Sequence, residues 1–175
     1  MIYAETGKID LGKGKELFPG MTKEDFFNSK LFKEELIHES DKQNKAANIF
    51  TLKVQKLYNK AVIVTIYFAL GLVKSVEIES PDMLNYSDWT DDPDYQLEKF
   101  KQAKLYVDDL LSKTLDIEIS SERLIDIGFE KSWGSLNSLY DIKTPNIYLE
   151  IEFDLYSFAK IDNYDKNIFD LLINP

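Results

Sequence analysis

Hydrophobic positions along the chain switch between a helical period and strict alternation, and the order of those switches predicts the fold. Met21 and Phe26 flank Thr22 as a hydrophobic staple, and Thr22 with Asp25 makes a variant of the capping box, so a helix is predicted from about Lys23 to Ser29. Leu31, Phe32, Leu36 and Ile37 stand among charges and continue it after a break. Phe50, Leu52 and Val54 then alternate with Thr51, Lys53 and Gln55, the period of a half-buried strand. Tyr58-Asn59-Lys60 reads as a turn and Ala61 to Leu70 as a central, β-branched strand. Gly71 reads as a break, and Val73 to Glu79 as a third strand ended by Ser80-Pro81.

Asp92-Pro93 has the form of an N-cap followed by proline at the first helical position. Leu97, Phe100, Ala103, Val107, Leu110 and Leu111 follow as an amphipathic stripe, interrupted by Lys104. Asp108 and Asp109 fall toward the end of that helix, where the helix dipole disfavours them. Ile127, Phe129 and Trp133, a turn at Lys143 to Asn146, and the alternating Ile147, Leu149, Ile151, Phe153 and Leu155 predict a final hairpin. Glu150, Glu152 and Asp154 take its other face, which would discourage pairing if that strand lay at an edge. Ile168, Leu171 and Leu172, within Tyr164 to Ile173, have the spacing of a short terminal helix. Helices and strands are segregated rather than alternating. The prediction is an α+β fold, with an antiparallel sheet of about five strands and two main helices packed on one face, in a single domain over residues 1–175.

Composition narrows the chemistry. The chain has no cysteine, which removes disulfides, thiolate metal sites and cysteine nucleophiles. The net charge is −10 and unevenly spread. Residues 1–60 carry eleven lysines and nine acids, whereas residues 61–115 carry five basic groups against ten acids and residues 116–175 five against twelve. The acidic two-thirds would repel a phosphate backbone, so nucleic acid is not an expected partner and a basic protein is. Met1 to Lys15 lacks a secretory signal, and the longest nearly apolar run, Ala61 to Val73, is shorter than the ~20 residues of a membrane span. A cytoplasmic protein without a membrane span is the expectation.

Several near-motifs fail on chemistry. Gly7 to Gly14 resembles a phosphate-binding loop, but Gly14 stands where a magnesium-binding hydroxyl is needed and no helix is predicted to start there. Read as an EF-hand from Asp88, the acidic segment places Pro93 at the glycine position and Lys99 at the bidentate glutamate position. His38 is the only histidine, and no Gly-x-Ser-x-Gly elbow accompanies it. No cofactor is called for. Trp89, set among Asp88, Asp91 and Asp92, is the candidate binding site, because a large aromatic amid acids in a loop can anchor an interface.

The segment Trp133-Gly134-Ser135-Leu136-Asn137-Ser138-Leu139-Tyr140-Asp141-Ile142-Lys143-Thr144, ahead of an alternating strand, resembles a motif of small uncharacterised bacterial proteins. Thr22 and Phe26 match a helix start that recurs in that group. The resemblance covers about a dozen residues and implies an immunity-type or accessory protein rather than an enzyme. The residues themselves have a structural reading: Trp133 under the sheet, Gly134 at a bulge and Tyr140-Asp141 at the turn. The expected function is a non-catalytic protein-binding domain, an immunity-type neutraliser of a basic partner. The alternatives are a carboxylate-dependent hydrolase, for which 31 acids supply many pairs, and an envelope-associated structural module.

Overall fold

The computed structural model describes residues 1–84, 92–119, 124–141 and 146–155. The chain opens with a small antiparallel hairpin of β1 (Ile9–Asp10) and β2 (Glu16–Leu17), then α1 (Lys23–Asn28) and α2 (Lys30–Glu34). A meander follows: β3 (Ile49–Thr51), β4 (Gln55–Leu57), β5 (Lys60–Ala69) and β6 (Leu72–Glu79). The helix α3 (Pro93–Leu115) leads to β7 (Ile127–Lys131), β8 (Gly134–Asp141) and β9 (Asn146–Phe153). Seven strands make one antiparallel sheet in the order β3-β5-β6-β9-β8-β7, with β4 also paired to β5.

The sheet therefore has seven strands rather than five, because two predicted strands are each divided. The run Phe50 to Gln55 is interrupted. Thr51 pairs with Thr65 and Gln55 with Val62, so four steps on one strand face three on the other. That is one extra residue, a bulge, and it flips the alternation. Phe50 and Leu52 are buried before it and Gln55 and Leu57 after it, while Val54 is exposed. The predicted final hairpin is a three-stranded meander, because the chain already turns at Ser132-Trp133 and returns as β8. The helices number three among the described residues rather than two. Ser29 ends α1 by donating its Oγ to the Phe26 carbonyl (2.6 Å) and caps α2 by accepting from the Phe32 amide (3.3 Å). The predicted terminal helix over Tyr164 to Ile173 lies outside the described residues.

Other local signals work as the residues suggest. Thr22 and Asp25 form a reciprocal capping box. Tyr58-Asn59 and Leu70-Gly71 both take left-handed φ, the two-residue hairpin geometry that matches strand twist.

Helices α1, α2 and α3 share one face of the sheet, over a continuous core that runs from Ile2 to Phe153 in sequence. Phe26, on α1, meets Phe50 and Phe68 of the sheet at 5.2 and 5.3 Å between ring centroids. Trp133 is buried beneath the N-terminal segment, its Nε1 donating to the Ala4 carbonyl (2.9 Å) and its ring 5.9 Å from that of Phe153. Gly134 is forced by contact: at φ 144° a Cβ there would stand 1.9 Å from the Glu152 carbonyl oxygen.

The polar break in the α3 stripe is explained by its partner. Lys104 Nζ lies 2.6 Å from Asp108 Oδ1 and donates to Ser138 Oγ on β8 at 2.8 Å, while Ser138 donates to Asp108 Oδ1 at 2.5 Å. Lys104 and Asp108 side chains are only 1% and 2% exposed. One helical turn apart, the two charges neutralise each other locally, so the stripe stays compatible with a core. Asp109, one residue on, is held by Lys60 (2.6 Å) and Lys113 (2.7 Å), which offset its poor position on the helix dipole. Removing one buried partner strands the other. Lys104→Met is expected to destabilise by about 3–5 kcal/mol in urea unfolding, whereas Lys104→Met with Asp108→Leu and Ser138→Ala recovers most of that loss.

Candidate functional site

The second face of the sheet carries no packed helix from α1 to α3 and is polar in continuous rows. The strand registers align Tyr67, Ser75, Glu152, Ser135 and Glu130 in one row. The next row is Thr51, Thr65, Glu77, Glu150, Asn137 and Gly128, and a third is Ile63, Glu79, Tyr148 and Leu139. These residues share a face because alternate positions of paired strands project the same way. Thr65, Ser75, Glu79 and Ser135 are buried, whereas Tyr67, Glu77, Tyr148, Glu150 and Glu152 are half-buried.

At the centre of the face Glu77 stands directly opposite Glu150. Like charges at that spacing oppose sheet formation. Among the described residues no lysine or arginine forms an ion pair with Glu77, Glu79, Glu150 or Glu152. Neutral donors serve instead. Tyr67 donates its hydroxyl to Glu77 Oε2 at 2.7 Å, and Asn137 Nδ2 reaches Glu150 Oε2 at 3.4 Å and Ser135 Oγ at 2.9 Å. Gly128 leaves room for Asn137, whose Oδ1 would lie 2.7 Å from a Cβ at that position.

The acids titrate accordingly. Desolvation raises Glu77 against the Tyr67 hydrogen bond. Desolvation and then the Glu77 charge raise Glu79, against a hydrogen bond from Asn146. Desolvation and then Glu152 raise Glu150, with Asn137 and Lys74 acting the other way. Burial, followed by the Glu77 charge, pushes Tyr148 up to about 12, and burial with the Glu77 hydrogen bond drives Tyr67 higher still. Electrostatically this is a concentrated, poorly compensated negative field flanked by two phenols.

Of the sequence-predicted site, Asp92 alone lies among the described residues. Asp92 caps α3, its Oδ1 accepting from the Asp94 amide (3.0 Å) and the Tyr95 amide (3.5 Å). Asp88, Trp89 and Asp91 lie outside the described residues. The near-phosphate loop Gly7 to Gly14 folds as the β1–β2 hairpin, with Gly12, Lys13 and Gly14 at left-handed φ and Asp10 Oδ1 accepting from the Gly12 amide at 2.7 Å. His38 is exposed. Alternation along β9 alone places Tyr148, Glu150 and Glu152 on one polar face, but Tyr67, Glu77 and Glu79 join them only through cross-strand register, which no local pattern encodes. Among the described residues no group of three or more His, Asp or Glu is arranged to hold a metal ion, and no helix is long and apolar enough to cross a membrane. The chain matches no protein-family model, no curated protein and no solved structure.

The raised carboxylates set a pH signature. Each binds its proton more tightly folded than unfolded, so above the ordinary value of 4.5 folding takes up protons and stability rises as pH falls through the folded values. Glu35, lowered chiefly by its hydrogen bond from Lys15, works in the opposite sense and only at more acidic pH. The melting temperature is therefore expected to peak on the acid side of neutrality. Glu77→Gln should raise it at pH 7, by the equivalent of a few tenths to about 1 kcal/mol, and flatten the slope between pH 5 and 7. A melting temperature that falls steadily from pH 7 to 5 in the unmodified protein would show that these acids do not hold their protons more tightly in the folded chain.

Proposed function

We propose that this chain is a non-catalytic protein-binding domain that engages a basic protein through the acid and tyrosine face of its sheet, in the manner of an immunity-type neutraliser. The observation that carries this reading is the direct opposition of Glu77 and Glu150 at the centre of that face. The arrangement costs stability, and like-charge groups held together without cations are a recurring mark of sites that meet an external charge. A lysine or arginine of the partner would supply the opposite charge for this pair. Tyr67 and Tyr148 would supply rigid contact area with a hydrogen-bonding tip, the kind of residue that anchors interfaces. The acidic balance of residues 61–175 would add long-range attraction and speed encounter.

The same carboxylate pair is what a hydrolase reading would use, but its setting favours the binding reading. Glu77 and Glu150 sit on adjacent strands of a sheet face. The clefts beside Ser80 and Tyr106, and beside Met1 and Tyr58, hold one acid each, Asp82 and Asp10.

Capture from an extract of the source cells, with the tagged chain as bait, is expected to retain one basic protein in near-equal amount. Its affinity should fall at least about tenfold for Glu77→Gln with Glu150→Gln and fall steeply as salt is raised. Trp89→Ala with Asp91→Ala measures the contribution of the acidic loop in the same assay. A captured partner that is acidic, or that binds the two-Gln variant as tightly as the unmodified chain, would remove the face from the interaction.

A further inference from the structure

The two edges of the main sheet are treated differently. At the β3–β4 edge the chain from Glu35 to Ile37 lies alongside: Leu36 bridges Leu52, the Ile37 amide donates to the Thr51 carbonyl (3.0 Å), and the Lys53 amide donates to the Glu35 carbonyl (2.6 Å). The bulge between Thr51 and Gln55 breaks that edge further. This is how folded proteins ordinarily block strand addition. At the opposite edge, β7 runs five residues in regular register with β8, and among the described residues nothing bonds to its outward backbone groups. Gly128 and Glu130 are exposed, and Ile127 and Phe129 are only half-buried against the core.

We infer that the β7 edge accepts an extended segment of the basic partner as an added strand of the main sheet, a step that rests on the binding reading given above. Backbone pairing would supply affinity, and the two faces of β7 would dictate the side chains of the incoming strand. On the helix-covered face, its alternate residues would lie beside Ile127 and Phe129 and should be apolar. On the other face they would lie beside Glu130, which shares a row with Glu152 through Ser135, and should be basic. Lys131, the one cation of β7, already faces Glu5 at 3.9 Å. The segment that fits is extended and alternates basic with apolar residues.

The probe is a nonapeptide of alternating lysine and valine, compared with the same peptide methylated at every backbone nitrogen. Methylation keeps the charges and side chains and removes the donors. Titrations are followed by amide NMR and hydrogen exchange on the unmodified protein and on Glu77→Gln with Glu150→Gln. Slowed exchange at Ile127 to Lys131 with the first peptide, and at least about tenfold weaker binding of the methylated one, is expected. Equal binding of both peptides, no change at β7, or β7 protection that grows with protein concentration without peptide and so points to a second copy, would each overturn the edge assignment. The two proposals separate cleanly. β7 protection that is unchanged in the two-Gln variant sustains the edge and removes the acidic face. Charge-dependent binding that survives methylation does the reverse.

Discussion

The pairing of β6 with β9 holds the molecule together. These strands lie far apart in the sequence, and their pairing joins the meander β3 to β6 to the meander β7 to β9. Its register sets Val76 opposite Ile151 and Ile78 opposite Leu149, all four completely buried. Burial of such a side chain is worth about 1.5–3 kcal/mol. A slip of one residue would turn the slipping strand's pair of them out of the core and bring its glutamates in. The same register necessarily sets Glu77 against Glu150 on the other face. The cost of that opposition, of order 1 kcal/mol or less, is small beside the four aliphatic contacts, so the core determines the alignment and the acid pair is carried with it.

The alignment explains the pairing but not the choice of residue. Threonine or lysine at position 77 or 150 would keep the register without repulsion, as Thr51 and Thr65 do in the same row with their hydroxyls 3.2 Å apart. The contrast with α3 is instructive. There the chain places a charge in the core and gives it a counter-charge one turn away and a hydroxyl across the interface. The Lys104–Asp108–Ser138 network leaves no charge unmatched, as a structural ion pair must when water is excluded. Among the described residues the hydrogen bonds to the acids of the sheet face come from neutral donors, Tyr67, Asn137 and Asn146. Among the described residues one set of charges is matched by an ion pair, and the other is not.

Much of this was legible in the sequence where local chemistry decides. The capping box at Thr22, the Asp92-Pro93 helix start, the Tyr58-Asn59 turn and the unbroken alternation of β9 each depend on neighbours a few residues away. The strand count was not legible, for a physical reason. A bulge such as that between Thr51 and Gln55 is defined by the partner strand, and Val54 continues the alternation in sequence while leaving the core in space. The turn at Ser132-Trp133 was hidden because Trp133 fits the apolar spacing of Phe129 and Ile127. Lys104 marked a polar break in the α3 stripe, but its reason lies in Ser138, 34 residues on. The acid face was half visible, because alternation exposes Glu150 and Glu152 but cannot say which strand lies beside them.

The acid face and the β7 edge belong to one surface. Glu130 is the last acid of the row that begins at Tyr67 and passes through Ser75, Glu152 and Ser135, so the row of polar residues runs out at β7, an edge strand among the described residues. A regular sheet edge invites pairing, and like charges set side by side oppose the sheet. Both costs are recovered together if a single extended, basic segment bonds along β7 and directs its cations across the row. The rest of the molecule is consistent with holding that surface rigid. The opposite edge is closed by Glu35 to Ile37, the core face is covered by three helices, and α3 is fixed against β8 by a buried ionic network that tolerates little movement.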